Sequence, residues 1–186
     1  MGRTVDPQAP WPSIVEKLPA STGSISGVDV GTPYVPRHPR YRIAFTVPWI
    51  GKSFPSWFAY FLSSCQRSAY LADWLIFHEG AFLPDPDEVP SNVIFHDLGR
   101  DGLGRLFGFR IARALGLQNS AGRLTELFQI AFREFAYIVT EYKPTHGTVF
   151  ADYLKEYSHW SYTDIDMLIG DLPMIIELEV GESTRV

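Results

Sequence analysis

The chain has one cysteine, Cys65, in 186 residues. A single thiol excludes an internal disulfide framework and fits a reducing compartment. Apolar runs are short. None approaches the ~18 residues a membrane span needs, and the first residues lack the apolar core of a signal peptide. The opening "MGRTVD" has Asp6 where a myristoylation site wants Ser or Thr. Basic residues are outnumbered, and the formal net charge is -5. That balance gives no support for nucleic-acid binding, which would show as a basic patch. The expectation is a soluble, cytoplasmic protein with no membrane span and no nucleic-acid partner.

What is present is apolar and aromatic. Hydrophobic residues make up 46% of the chain, enough to exclude a disordered polymer, and aromatics 15%, which implies a packed core with stacking surfaces. The first 40 residues differ. Prolines recur from Pro7 to Pro39 around the linker-like "ASTGSISG", so residues 1–40 read as a disordered tail. Residues 41–180 read as one folded domain and 181–186 as a C-terminal tail.

Within the domain, Tyr41–Val47, Asp73–Glu79, Asn92–Leu98 and the segment "SHWSYTD" read as strands. Helical spacing marks Phe54, Trp57, Phe58, Phe61 and Leu62, then "GLGRLFGFRIARALGL", then "GRLTELFQIAFREFAYIVT". After Pro144 the pattern resumes over Thr148–Tyr157, with Asp152 facing away from its apolar side. Strands alternating with helices predict an α/β fold: a mainly parallel, Rossmann-like sheet with helices on both sides. Ligands in such sheets sit beyond the carboxyl ends of the strands.

Asp164 and Asp166 follow the last strand, which is expected to be a central one. Two residues apart in an extended chain, they share a face. Like charges so placed repel unless a cation lies between them or one is protonated. Hard oxygen ligands select Mn2+ or Mg2+, ions that often bridge to phosphate. Asp-x-Asp alone is a weak signal, for the chain holds a second copy at Asp85-Pro86-Asp87. That copy lies in a proline-rich loop and reads as a solvated turn.

Other motifs carry less. Gly102-x-Gly104-x-x-x-Gly108 departs from the dinucleotide fingerprint at Phe107, and a helix follows where the motif wants a strand ending in an acid ~20 residues on. The five histidines show no zinc spacing. His78-Glu79 and His96-Asp97 end strands and read as polar termini meeting water. No nucleophile elbow is present, and Cys65 reads as packing. Lys143 precedes a helix start at Gly147, where free N–H groups attract phosphate.

Three motifs together resemble the GT-A-type nucleotide-sugar glycosyltransferases, in particular a sparsely described family of them. These are "VPWIG", "YKPTHGTVFADYL" and "HWSYTDIDMLIGDL", and the resemblance spans most of Tyr41 to Ile176. It implies a metal-dependent transferase using a nucleotide-diphosphate sugar, most readily a UDP-sugar, and a sugar or glycan acceptor. Asp164 and Asp166 would hold Mn2+ or Mg2+ against the diphosphate. Val47, Pro48 and Trp49 would line the uracil or ribose pocket, and Glu79 would face the nucleotide. Lys143 and Gly147 would approach the diphosphate or support the helix that does. Asp152 would brace the site and Asp171 would reach the sugar. The resemblance names no catalytic base. In GT-A enzymes an acceptor-binding half follows the Asp-x-Asp motif, and little sequence follows it here. The resemblance therefore implies a fragment, a truncated gene product or a donor-binding remnant, with a partner as one source of the missing acceptor half. Two alternatives stand beside it: a non-catalytic module that binds a nucleotide sugar or a partner, and a metal-dependent phosphoester hydrolase.

Overall fold

The computed structural model describes residues 41–172 together with 174 and 176. The tail expected over residues 1–40 and the C-terminal tail at 181–186 lie outside the described residues. Four strands form one parallel sheet. They are β1 (Ile43–Trp49), β2 (Ala72–His78), β3 (Val93–Asp97) and β4 (His159–Tyr162), in the order β3-β2-β1-β4. The fold is the α/β, Rossmann-like arrangement expected.

The apolar strands explain the layering. All seven residues of β2 are buried, as a parallel strand covered on both faces requires. Ile43, Val47, Trp74 and Ile76 point to one side, where helix α1 (Phe58–Gln66) supplies Phe58, Phe61, Leu62 and Cys65. Ala44, Leu75 and Phe77 point to the other, against Phe107 of α2 (Gly102–Ala114) and Phe128 and Phe132 of α3 (Ala121–Glu134). The two-residue alternation of the strands thus sends successive side chains into two separate cores. Burial raises the Cys65 thiol far above its ordinary pKa, so Cys65 serves as packing.

Three expectations are corrected. First, β4 is not a central strand. It ends the sheet order, pairing with β1 over four residues, and it is largely exposed. Second, the long apolar run after Gly122 is not one helix. α3 closes with Phe135 N–H bonded to Ala131 O at 2.8 Å, and a 3-10 segment, Ala136–Thr145, follows. The β-branched series Ile138-Val139-Thr140 disfavours continued α-helix. Third, Thr148–Tyr157 is not a helix. Only a single turn, α4 (His146–Val149), forms, and turns follow it. There Phe150 and Tyr153 both reach Phe77, with ring centroids 3.9 and 4.9 Å away. Tertiary packing on the sheet overrides the local helical pattern.

Candidate functional site

The strand order places a topological switch point between β1 and β4. The chain moves from β1 outward to β2 and β3, then returns to pair on β1's other edge. Chain connections diverge at such a point and leave a crevice at the carboxyl ends of the strands.

A cavity of about 330 Å³ lies there. The end of β1 and the residue after it line it with Val47, Pro48, Trp49 and Ile50. The turn after β4 lines it with Asp164, Ile165 and Asp166. The 3-10 segment contributes Ala136, Tyr137, Val139 and Thr140, and Trp57 stands at the start of α1. Ile165 is buried in the core beneath, so it anchors the turn and leaves an aspartate on each side of it. These carboxylates do not sit in a buried strand. Asp166 is exposed, and the Asp164 side chain is 43% exposed. The desolvation cost that such a pair would pay inside a strand is therefore small here.

Lys143 meets Asp164 directly, with Nζ 2.5 Å from Oδ2. Its ammonium also stands 5.7 Å from the centre of the Tyr162 ring. The base of Lys143 is fixed by its neighbours. His146 is fully buried, and its Nδ1 lies 2.8 Å from Thr46 Oγ1 on β1. The Thr46 hydroxyl donates to Ser161 O on β4 at 3.0 Å, so the His146 Nδ1–H is the donor to Thr46. Burial, and then the nearby Lys143 charge, lower the His146 pKa to about 4. Gly147 lies against the Trp160 indole, where an added Cβ would fall 2.4 Å from Cζ2. The two motifs singled out in the sequence are thus docked on each other and on β1. His146 stands inside "KPTHG", where nothing in the local sequence marks it as buried. Its burial depends on Thr46, 100 residues away.

The remaining residues singled out lie elsewhere. Glu79, one residue past β2, accepts from the Leu103 N–H at 2.8 Å and so caps the start of α2. Burial raises its pKa, against the lowering effect of that N–H. Asp152 pairs with Lys155 at 3.0 Å and with Arg110, and these bonds lower its pKa. Asp171 is exposed and accepts from the Met174 N–H at 3.4 Å. Because α4 is a single turn and Trp160 covers Gly147, no phosphate cradle is built on that helix start. Gly104 and Gly108 serve a helix crossing: a Cβ at either would fall 2.6 or 2.4 Å from a backbone Cα of α3. Asp85-Pro86-Asp87 is an exposed turn, with the Asp87 N–H donating to Asp85 at 3.1 Å.

Among the described residues no group of three or more His, Cys, Asp or Glu converges as a metal cage. The donor set at the cavity is two carboxylates. Such a set fits a hard divalent ion whose other ligands are phosphate and water, and it does not fit an ion held by protein alone. No helix among the described residues is long and apolar enough to cross a membrane. No curated protein and no solved structure matches the chain. A family pattern does match, over residues 45–185, the span that carries the residues lining the cavity, and the chain belongs to that family: DUF6625, a family of unknown function.

Proposed function

We propose that the protein is a metal-dependent glycosyltransferase, or the donor-binding half of one, that takes a nucleotide-diphosphate sugar. One observation carries the reading. The cavity at the switch point is lined both by an aromatic and apolar segment from the end of β1 and by the two carboxylates that follow β4. A nucleotide diphosphate has the same polarity, a flat base at one end and a charged group at the other.

Val47, Pro48 and Trp49 bind the base or ribose. Trp49 is braced for this by Phe54, stacked at 5.4 Å, and a UDP-sugar is the donor that the resemblance of the sequence motifs favours. Asp164 and Asp166 would hold Mn2+ or Mg2+ together with the diphosphate. A divalent ion there supplies Lewis-acid stabilisation of the charge that builds on the departing diphosphate. Lys143 adds a positive charge beside the same group, and the exposed Tyr137 and Trp57 border the cavity.

A second reading is a non-catalytic module that binds a nucleotide sugar. Asp164 is already neutralised by Lys143, which suits a cleft that holds its ligand without cleaving it.

Incubation with a panel of nucleotide-diphosphate sugars, Mn2+ and sugar acceptors separates the readings. A glycosylated acceptor, lost in Asp166→Asn and retained in Asp87→Asn, is the expected result. Binding without turnover selects the module. Phosphoester cleavage to water with every acceptor selects a hydrolase. Failure to bind any nucleotide diphosphate overturns the donor-site reading.

A further inference from the structure

The carboxylate pair already has a cation of its own. Lys143 Nζ is 2.5 Å from Asp164 Oδ2, so the cavity's acidic wall carries a single net negative charge, that of Asp166. A divalent ion arriving alone meets one free carboxylate and one that is neutralised by the positive charge beside it. The lysine occupies one oxygen of Asp164, and its charge repels an ion that approaches the same carboxylate.

Lys143 is also placed to leave. Its backbone is held by the contacts of the residues that follow it: His146 on Thr46, and Gly147 on Trp160. Its stem is flexible, and its ammonium stands beside the Tyr162 ring, a surface that favours a cation. A diphosphate entering the cavity offers the ammonium several anionic oxygens in place of one carboxylate. We infer that Lys143 is a resident cation that withholds Asp164 from metal until a diphosphate draws it away, and so makes metal binding conditional on the nucleotide. This rests on the donor-site reading above and specifies the order in which that site fills. Lys143 acts here as a positioning residue. It sets when the carboxylate pair becomes available.

Removing the resident cation should therefore strengthen binding of the metal alone. Mn2+ binding is read directly from the electron paramagnetic resonance signal of the free ion, with and without UDP, and needs no turnover. In the parent protein Mn2+ alone binds weakly, and UDP tightens it. Lys143→Met keeps the stem over Tyr162 and removes the charge. It should bind Mn2+ alone about tenfold more tightly, and UDP should then tighten it less than in the parent, since no lysine has to be drawn off Asp164 first. Lys143→Arg keeps the charge and should bind Mn2+ alone as weakly as the parent. Asp164→Asn frees the lysine, and should bind UDP in the absence of metal at least as well as the parent.

If the parent couples Mn2+ to UDP but Lys143→Met binds Mn2+ alone no more tightly, the inference fails and the donor site stands. Equal tightening in Lys143→Arg overturns it too, since charge would not be the cause. A parent protein that binds neither probe overturns both the donor site and the inference.

Discussion

Gly147 and Trp160 are packed so closely that the glycine has no room for a side chain: a Cβ there would lie 2.4 Å from the indole Cζ2 and 2.9 Å from its Nε1. This contact seats the "KPTHG" segment on β4 and fixes where Lys143 begins. Gly147→Ala should lower stability by about 1–3 kcal/mol, the usual cost of overpacking. Trp160→Leu should recover part of that loss in the double variant, because the two sites share one contact. Denaturant titration of the four proteins measures the coupling, and strictly additive losses would contradict it.

A second prediction concerns acid. His146 is buried neutral with a pKa of about 4, against about 6.5 when unfolded. A group whose folded pKa is depressed contributes stability that is present above its unfolded pKa and is lost as pH falls toward the folded one. Lys143, Asp164, the Thr46 hydroxyl and the Tyr162 ring are its polar or titratable neighbours. Between pH 7.5 and 5, His146 should cost about 2 kcal/mol of stability. Glu79, whose pKa is raised by burial, works the opposite way: its stability is greatest in acid and falls as pH rises past the ordinary carboxylate range. Comparing pH slopes between the parent and His146→Asn isolates the histidine. Equal slopes would contradict its assignment.

A third prediction separates two kinds of glycine. Gly108→Ala would bring a Cβ within 2.4 Å of the Thr125 Cα, which is backbone and cannot turn aside. Helix α3 must then move, and stability should fall by about 3 kcal/mol. Gly122 of α3 has nothing within 4 Å of such a Cβ. Gly122→Ala should be neutral, or stabilising by up to about 1 kcal/mol. Thermal melts of both variants test the pair.

Much of this fold is legible in the sequence because parallel strands buried on both faces read as plain apolar runs. β2 shows it best. The spacing of Asp164 and Asp166 likewise puts both at one cavity. What is not legible depends on partners far along the chain. The Lys143–Asp164 pair joins residues 21 apart, and the buried setting of His146 is fixed by Thr46, 100 residues away. The departure of Gly102-x-Gly104-x-x-x-Gly108 from the dinucleotide fingerprint is visible in the sequence. Its actual role, the close approach of α3, is not. The apolar pattern over Thr148–Tyr157 misleads because Phe150 and Tyr153, three residues apart as on a helix face, reach Phe77 from a run of turns instead.

A fourth prediction uses the decoy aspartates. UDP with Mn2+ should raise the melting temperature, while Mn2+ alone should do little. At about 100 times the dissociation constant the joint ligand adds about 2.7 kcal/mol. Asp166→Asn keeps the side chain's size and removes a charged ligand, so the shift should shrink sharply. Asp87→Asn, in the exposed turn, should leave it intact. Equal losses from both would count against the site.

The most direct test of the switch-point cavity is paramagnetic broadening of backbone amide signals by Mn2+, recorded with and without UDP. Broadening falls off steeply with distance and so reports where the ion sits. With UDP present, the signals of Val47, Trp49 and Ile50 and those of Asp164 to Met167 should broaden first, and those of Asp85, Asp87 and Glu88 should stay sharp. Broadening centred on Asp85 to Glu88, or none near Asp164 with UDP saturating, would contradict the claim that this cavity binds a nucleotide diphosphate with a divalent ion.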